Sequence, residues 1–284
     1  MCGHTTTVPR RPRGPRPLRS PSPAGAATIP QSTSSDGTAG GEHERARVRA
    51  LVGIEQPSAG TSNLTRLCMV ASSELRMSGA VVSLMTPVGT RRDQPGSIAA
   101  ASSDLARSVE ELEFSVGEGP GTEAFQTSRP VLTPDLERAF VRWPGYVPPA
   151  LANGVRATFA FPLLVGAARF GVLHLHSAER RTLTAGETMT SLVLSELATE
   201  VVLETYSPLG QQPRSDRPLL GPDDRRDEIY QAQGMVMIEL RISLEEALAR
   251  MRAHAFASEQ ALAEVAADIL SGRTRLQPDP EGAP

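Results

Sequence analysis

Apolar residues follow two rhythms along this chain, and the change from one to the other divides it. From about residue 46 to 206, helical spacing alternates with short β-branched runs. In "LTRLCMVASSEL", Leu64, Leu67, Cys68, Ala71 and Leu75 fall on one side of a helix, so an amphipathic helix is predicted there. "GAVVSLMT" follows as a strand, with further strands at "GSIAAAS", "RPVLT", "ATFAFPLLV" and "RFGVLHLHS"; a turn at "VGAA" joins the last two as a hairpin. "TAGETMTSLVLSELATEVVLE" closes the unit as a long helix, with Thr184 at its cap and Glu187 in the capping-box position. Helices flanking a mostly antiparallel sheet make an α+β sandwich.

Beyond residue 222 only the helical rhythm remains. A first helix, about Asp223 to Leu240, turns Ile229, Ala232, Val236 and Leu240 inward and has Pro222 and acidic residues at its start. A second begins at Ser243, capped with Glu246 in the capping-box position, and its stripe is Leu244, Ala247, Leu248, Met251 and Ala255. A third, about Ala261 to Ser271, offers Leu262, Val265, Ala266, Ile269 and Leu270 and stops at Gly272. The expected product is an all-α three-helix bundle over 222–277. Between the units, Pro208, Pro213, Pro218 and Pro222 mark 207–221 as a Pro-rich linker. Residues 1–45, rich in Pro, Arg and Ser, and residues 278–284 carry too few large apolar side chains to bury, and both are expected to be disordered tails.

Composition changes this picture only by exclusion. The 284 residues are 39% hydrophobic, enough for real cores. No run approaches about eighteen apolar residues, and the N-terminus lacks the apolar stretch of a signal peptide, so a cytoplasmic protein without a membrane partner is expected. Two cysteines, Cys2 and Cys68, lie far apart, so neither a disulfide framework nor a cysteine-rich metal site is expected. The net charge of -3 excludes a nucleic-acid binder working by bulk charge, although local placement of charge still permits one.

Candidate chemistry is sparse. His174 and His176 alternate on a strand and so face the same side of the sheet, but no third ligand stands at supporting spacing, and no metal is expected. Haem through either is no better supported. Cys68 lies on an apolar stripe without a resolving partner and reads as core. "GEGPG" lacks the spacing and basic residue of a phosphate-binding loop and reads as a tight turn leading into a helix at Thr122. Trp143, in "RWPGY", either covers a pocket or packs a loop, and packing is the favoured reading. No nucleophile with a base, and no carboxylate pair, stands out, so no enzyme and no cofactor are expected.

The phrases "SGAVVSL", "FSVGEGPGTEAF", "RPVLTPDL", "RWPGY", "GVRATFAFPLL" and "FGVLHLH" occur in an order that resembles GAF domains of the actinobacterial regulator type, over 46–206. The resemblance implies a sensor for an unknown small-molecule or protein signal, with a pocket beneath loops and helices whose lining residues stay unknown. Gly121 stands where many similar sequences have cysteine, and without a second thiol near Cys68 the chemistry of GAF-fold sulfoxide reductases is not expected.

In the bundle, "QAQGMVM" puts a glycine inside a helix, at a cost of about 1 kcal/mol relative to alanine. Gly234 falls off the core stripe, on a face with Gln231 and Ile238, so something is expected to dock there. "IYQAQGMVM" followed by "SLEEALARMRAHAFASEQALAEVAADIL" is similar to the ANTAR domain, over 222–277. That resemblance implies a dimeric regulator that binds hairpins in leader transcripts and prevents transcription termination. Carried over, the RNA-binding positions are Gln231, Ala232, Gln233 and Gly234, with Arg252 and Ala255; Arg250 and His254 join them as neighbouring donors. Many relatives have lysine where this chain has Gln233, which removes one phosphate contact. The alternative is a ligand-sensing or dimerisation module that acts through protein contacts without RNA.

Overall fold

The computed structural model describes residues 36–53, 62–85, 97–206 and 224–277. Five strands form one sheet: β1 (Gly79–Leu84), β2 (Ser97–Ala101), β3 (Val131–Thr133), β4 (Ala157–Val165) and β5 (Ala168–Ser177). Their order is β2-β1-β5-β4-β3, and every pairing is antiparallel. β4 and β5 are the predicted hairpin, paired from Ala157 with Ser177 to Val165 with Ala168.

Alternation along the strands sends two sets of side chains to opposite faces. Phe159, Phe161, Leu163, Leu173 and Leu175 pack on one face against α1 (Asp36–Val52), α2 (Asn63–Glu74) and α6 (Ala185–Tyr206). Leu64, Leu67, Cys68, Ala71 and Leu75 of the predicted stripe are all buried there. Truncating Phe161 to alanine in such a core costs about 3 to 5 kcal/mol. Thr184 and Glu187 exchange backbone bonds before α6 at 2.8 and 3.2 Å, the expected capping box.

On the other face, Ala160 and Val172 meet α3 (Asp104–Val116), α4 (Pro120–Thr127) and α5 (Val147–Ala152). Trp143 and Tyr146 are buried in this layer, edge to face with ring centroids 6.4 Å apart, so Trp143 packs a loop as expected. The helix after "GEGPG" starts at Pro120, not at Thr122, because proline suits a first helical position.

α1 starts at Asp36, inside the stretch 1–45 expected as disordered tail. Arg47 bonds Glu44 at 2.9 Å and Glu74 of α2 at 2.8 Å, and the Thr190 hydroxyl donates to Glu44 at 2.6 Å, so polar ties across α2 and α6 hold the helix. Residues 1–35, the linker 207–221 and the tail 278–284 lie outside the described residues. The Arg47 and Thr190 bonds bring Glu44 down to about 2 from the ordinary 4.5. A depressed folded value stabilises above the unfolded one, so docking of α1 should hold above pH 4.5 and weaken only as pH falls toward 2. Limited proteolysis across that range checks this; cleavage within 41–52 that rises between pH 8 and pH 6 instead would contradict it.

The C-terminal bundle comprises α7 (Asp224–Leu240), α8 (Leu244–Ala257) and α9 (Leu262–Leu270). Ile229, Ala232, Val236, Ala247, Leu248, Met251, Ala255, Leu262, Val265, Ala266 and Ile269 form its core; of the predicted stripes, Leu240 and Leu270 are only partly buried against it and Leu244, half-buried, is not part of it. The Ser243 hydroxyl accepts from the Glu246 amide at 3.1 Å, and the Ala261 amide donates to the Glu264 carboxylate at 3.2 Å. No described helix is long and apolar enough to cross a membrane.

Candidate functional site

α7 presents two surfaces. Its core stripe faces α8 and α9, while Gln231, Met235 and Ile238 stand outward, Ile238 with 73% of its surface exposed. Gly234 lies between them, and a Cβ added there meets nothing within 4 Å. Packing among the described residues therefore does not require the glycine, and the space above it is open within them. Phe256, 84% exposed, is another large apolar side chain that the bundle leaves outside.

The other candidate residues divide sharply by environment. Ala232 and Ala255 are buried in the bundle core. Gln233 is also buried, and its amide donates to the Leu244 carbonyl at 2.7 Å, tying α7 to the start of α8. Arg250 pairs with Glu246 at 3.2 Å. His254 is half-buried and its carbonyl accepts from the Ser258 amide at 2.9 Å. Arg252 is turned inward, donating to the Phe114 carbonyl of α3 at 2.5 Å. Burial brings its guanidinium down to about 10, because little compensates the lost water.

Phe114 is the centre of that contact. Tyr230 meets it edge to face at 6.0 Å, and the guanidinium groups of Arg226 and Arg252 lie 4.5 and 5.4 Å from its ring centre. A side chain at Gly117 would strike Arg252 at 2.6 Å, so the glycine that ends α3, at φ 77°, also makes room for the arginine.

One turn back along α3 lies a buried charge cluster. Ala106, Val109, Glu110 and Glu113 form the buried stripe of the helix. Glu110 accepts from Ser83 at 2.6 Å and faces His174 Nδ1 at 3.0 Å. Burial alone would raise Glu110, but His174 and the Ser83 bond bring it down to about 2. Burial lowers His174, yet the Glu110 bond and the charge of Glu113 raise it overall, so the two form an ion pair. Glu113 is raised, by burial first and then by the Glu110 charge. His176 is driven well down by burial and by His174, and stays neutral.

The "GEGPG" turn has a use that its spacing did not disclose. Side chains at Gly119 and Gly121 would meet the Glu113 carboxylate at 2.5 and 3.1 Å, and the Thr122 amide donates to Glu113 Oε1 at 2.5 Å. The loop cradles a carboxyl group after all, and that group is the chain's own. Cys68 is buried and raised to about 12 by that burial, which fits its reading as core.

Residues 62–202 match the GAF domain family and residues 223–270 match the ANTAR domain family. The chain is a GAF and ANTAR protein. ANTAR domains are RNA-binding antitermination modules and GAF domains are sensor modules, so it is a regulator of that general kind, and neither match is to a catalytic family. Among solved structures it is similar to the GAF domain of an Acinetobacter phosphoenolpyruvate-protein phosphotransferase, at 13% identity and TM-score 0.42, covering 63% of this chain and 99% of that one. It is similar to the corresponding domain from Coxiella burnetii at 14% identity and TM-score 0.45, covering 58% and 94%. A third is the free methionine-R-sulfoxide reductase from Neisseria meningitidis in complex with its substrate, at 17% identity and TM-score 0.41, covering 60% and 92%. Among curated proteins none matches the chain.

Sequence reading brought out the two histidines of the GAF domain but missed Glu110 and Glu113. The signal was present in the spacing of Ala106, Val109, Glu110 and Glu113, one helical face on which two members happen to be charged. Phe114, which links the GAF and ANTAR domains, gave no periodic signal at all.

Proposed function

We propose that this GAF and ANTAR protein is a signal-responsive antitermination regulator that binds hairpins in leader transcripts through the outer face of α7. The observation that carries this is Gly234, a helical glycine that no packing among the described residues requires, set among the exposed Gln231, Met235 and Ile238. Gln231 and His254 are the exposed or half-buried polar groups suited to loop bases and phosphates, with Arg250 beside them. Ala232, Gln233 and Ala255 act by shaping that face from behind. Arg252 joins the RNA only when its bond to Phe114 opens, which makes the α3 contact the step that a signal at the GAF domain controls. The protein works as a homodimer in the cytoplasm, with 207–221 as linker, and its affinity falls steeply with salt.

Sequencing of RNA crosslinked to the tagged protein in its host tests this reading, beside Gly234→Leu and Gln231→Ala. Leader transcripts with tandem hairpins near terminators should be enriched with the parent chain and lost with both variants. Because a Cβ at residue 234 finds open space, Gly234→Ala should stabilise the bundle by up to about 1 kcal/mol while weakening RNA binding about tenfold or more. Denaturant unfolding and filter binding on one preparation give both signs. Undiminished RNA binding by Gly234→Leu would remove the α7 face from consideration, and binding that ignores sequence at low salt would favour a sensor acting through protein contacts.

A further inference from the structure

The buried cluster of the GAF domain holds more ligating atoms than the fold uses. One ligand atom from each of Glu110, His174 and His176 lies within 4.8 Å of the others, and the two imidazole centroids are 4.2 Å apart. His174 Nε2 is engaged by the Thr158 hydroxyl at 2.6 Å, and its Nδ1 points at Glu110 Oε2. Among the described residues neither ring nitrogen of His176 has a hydrogen-bond partner, and neither has Glu113 Oε2, which lies 3.6 Å from His174 Nδ1. Upwards of about 90% of buried polar groups are paired in folded proteins. Here the three bare atoms belong to two side chains that both adjoin His174, brought there by a strand and a helix far apart in sequence.

We propose that Glu110, His174 and His176 bind one divalent transition-metal ion of the zinc or iron(II) class, with Glu113 beside them as a second carboxylate. Imidazole nitrogen with carboxylate oxygen is the donor set that such ions take, and hard calcium or magnesium would prefer oxygen alone. Two carboxylates neutralise the double charge of the ion, so its burial leaves no net charge behind. The outer partners are already in place. Thr158 takes the Nε2–H of His174 and leaves Nδ1 as the ligand. Ser83 holds Glu110 Oε1 and leaves Oε2, and the Thr122 amide does the same for Glu113. Oriented hydrogen bonds behind ligands, here those of His174 and Glu110, are how metal sites fix their geometry. A network of protons alone would have found His176 a partner. The inference concerns the GAF domain and does not rest on the RNA reading.

The chain has five histidines, and this permits a test that leaves the cores alone. In the variant H4A/H43A/H254A only His174 and His176 remain; His43 is exposed and His254 half-buried on α8. Full-length parent and variant, stripped with a chelator and dialysed against Zn(II) or Co(II), should each retain one equivalent with the same affinity. Adding His176→Asn should lower that affinity by about 100-fold or more, and Ser83→Ala, which removes one hydroxyl behind Glu110, by about tenfold or more. Should His176→Asn fail to fold by circular dichroism, Ser83→Ala decides. Absence of stoichiometric binding by the parent, loss of binding in H4A/H43A/H254A, or unchanged affinity in Ser83→Ala would each overturn the proposal and leave a His174 and Glu110 ion pair with a neutral neighbour. RNA binding is not a readout, so its failure would leave this result untouched.

Discussion

Replacing Glu110 with alanine should cost the GAF domain about 3 to 5 kcal/mol, the range for removing one partner of a buried ion pair. The carboxylate receives the Ser83 hydroxyl at 2.6 Å and faces His174 at 3.0 Å, and water reaches neither partner. Its loss leaves a buried hydroxyl without its acceptor and an imidazolium with Glu113 as the remaining carboxyl group nearby. His174 would then surrender its proton, since burial lowers it and the hydrogen bond that opposed this is gone. Glu110→Gln retains the shape and an acceptor for Ser83, and should cost less than half as much. Urea unfolding followed by Trp143 fluorescence measures both. A loss under about 1 kcal/mol for the alanine variant would mean that the cluster does not hold α3 to the sheet.

Gly171→Ala should be at least as damaging, for a reason unrelated to charge. Gly171 sits in β5 opposite Leu84 of β1 and Leu163 of β4, beside the register shift of β4 between Leu163 and Leu164, while its pairing with β1 is regular. An added Cβ would stand 1.9 Å from the Ser83 carbonyl oxygen and 2.9 Å from its carbon. The obstacle is backbone in a central seam, so no rotamer change relieves it, and β1 must move off β5. Overpacking typically costs about 1 to 3 kcal/mol and occasionally more; this site belongs at the upper end. Amide exchange should show lost protection along Gly79–Leu84 before the rest of the sheet. Unchanged protection there would show that the seam can widen without breaking.

The sheet and the bundle were legible because their strands and helices have clean apolar periods: Phe159, Phe161 and Leu163 alternate, and Leu248, Met251 and Ala255 repeat every three or four residues. Helix α3 was not, because Glu110 and Glu113 occupy positions where a hydrophobic pattern expects apolar side chains. The same blindness concealed the site. His174 and His176 were correctly read as neighbours, while the carboxylate that meets them comes from 64 residues earlier, a distance that no local spacing rule reaches. In the bundle the limit was different. Gln231 and Gln233 are chemically identical and two residues apart, yet one is exposed and the other holds the Leu244 carbonyl; a half-turn of helix decides, and residue type does not.

One helix, α3, carries Glu110 and Glu113 toward the sheet and offers Phe114 to Arg252, Arg226 and Tyr230. Adjacent residues of a rigid helix do not move independently, so the free energy of whatever occupies the cluster and that of whatever frees Arg252 enter one balance. Linkage makes such a balance symmetric. A transcript that draws Arg252 away would change the affinity of the GAF domain for its signal by the same factor that the signal changes the affinity for the transcript. On the proposed antitermination reading the nascent RNA would be an effector of the sensor as well as its target, and the response threshold would depend on how much leader transcript the cell is making.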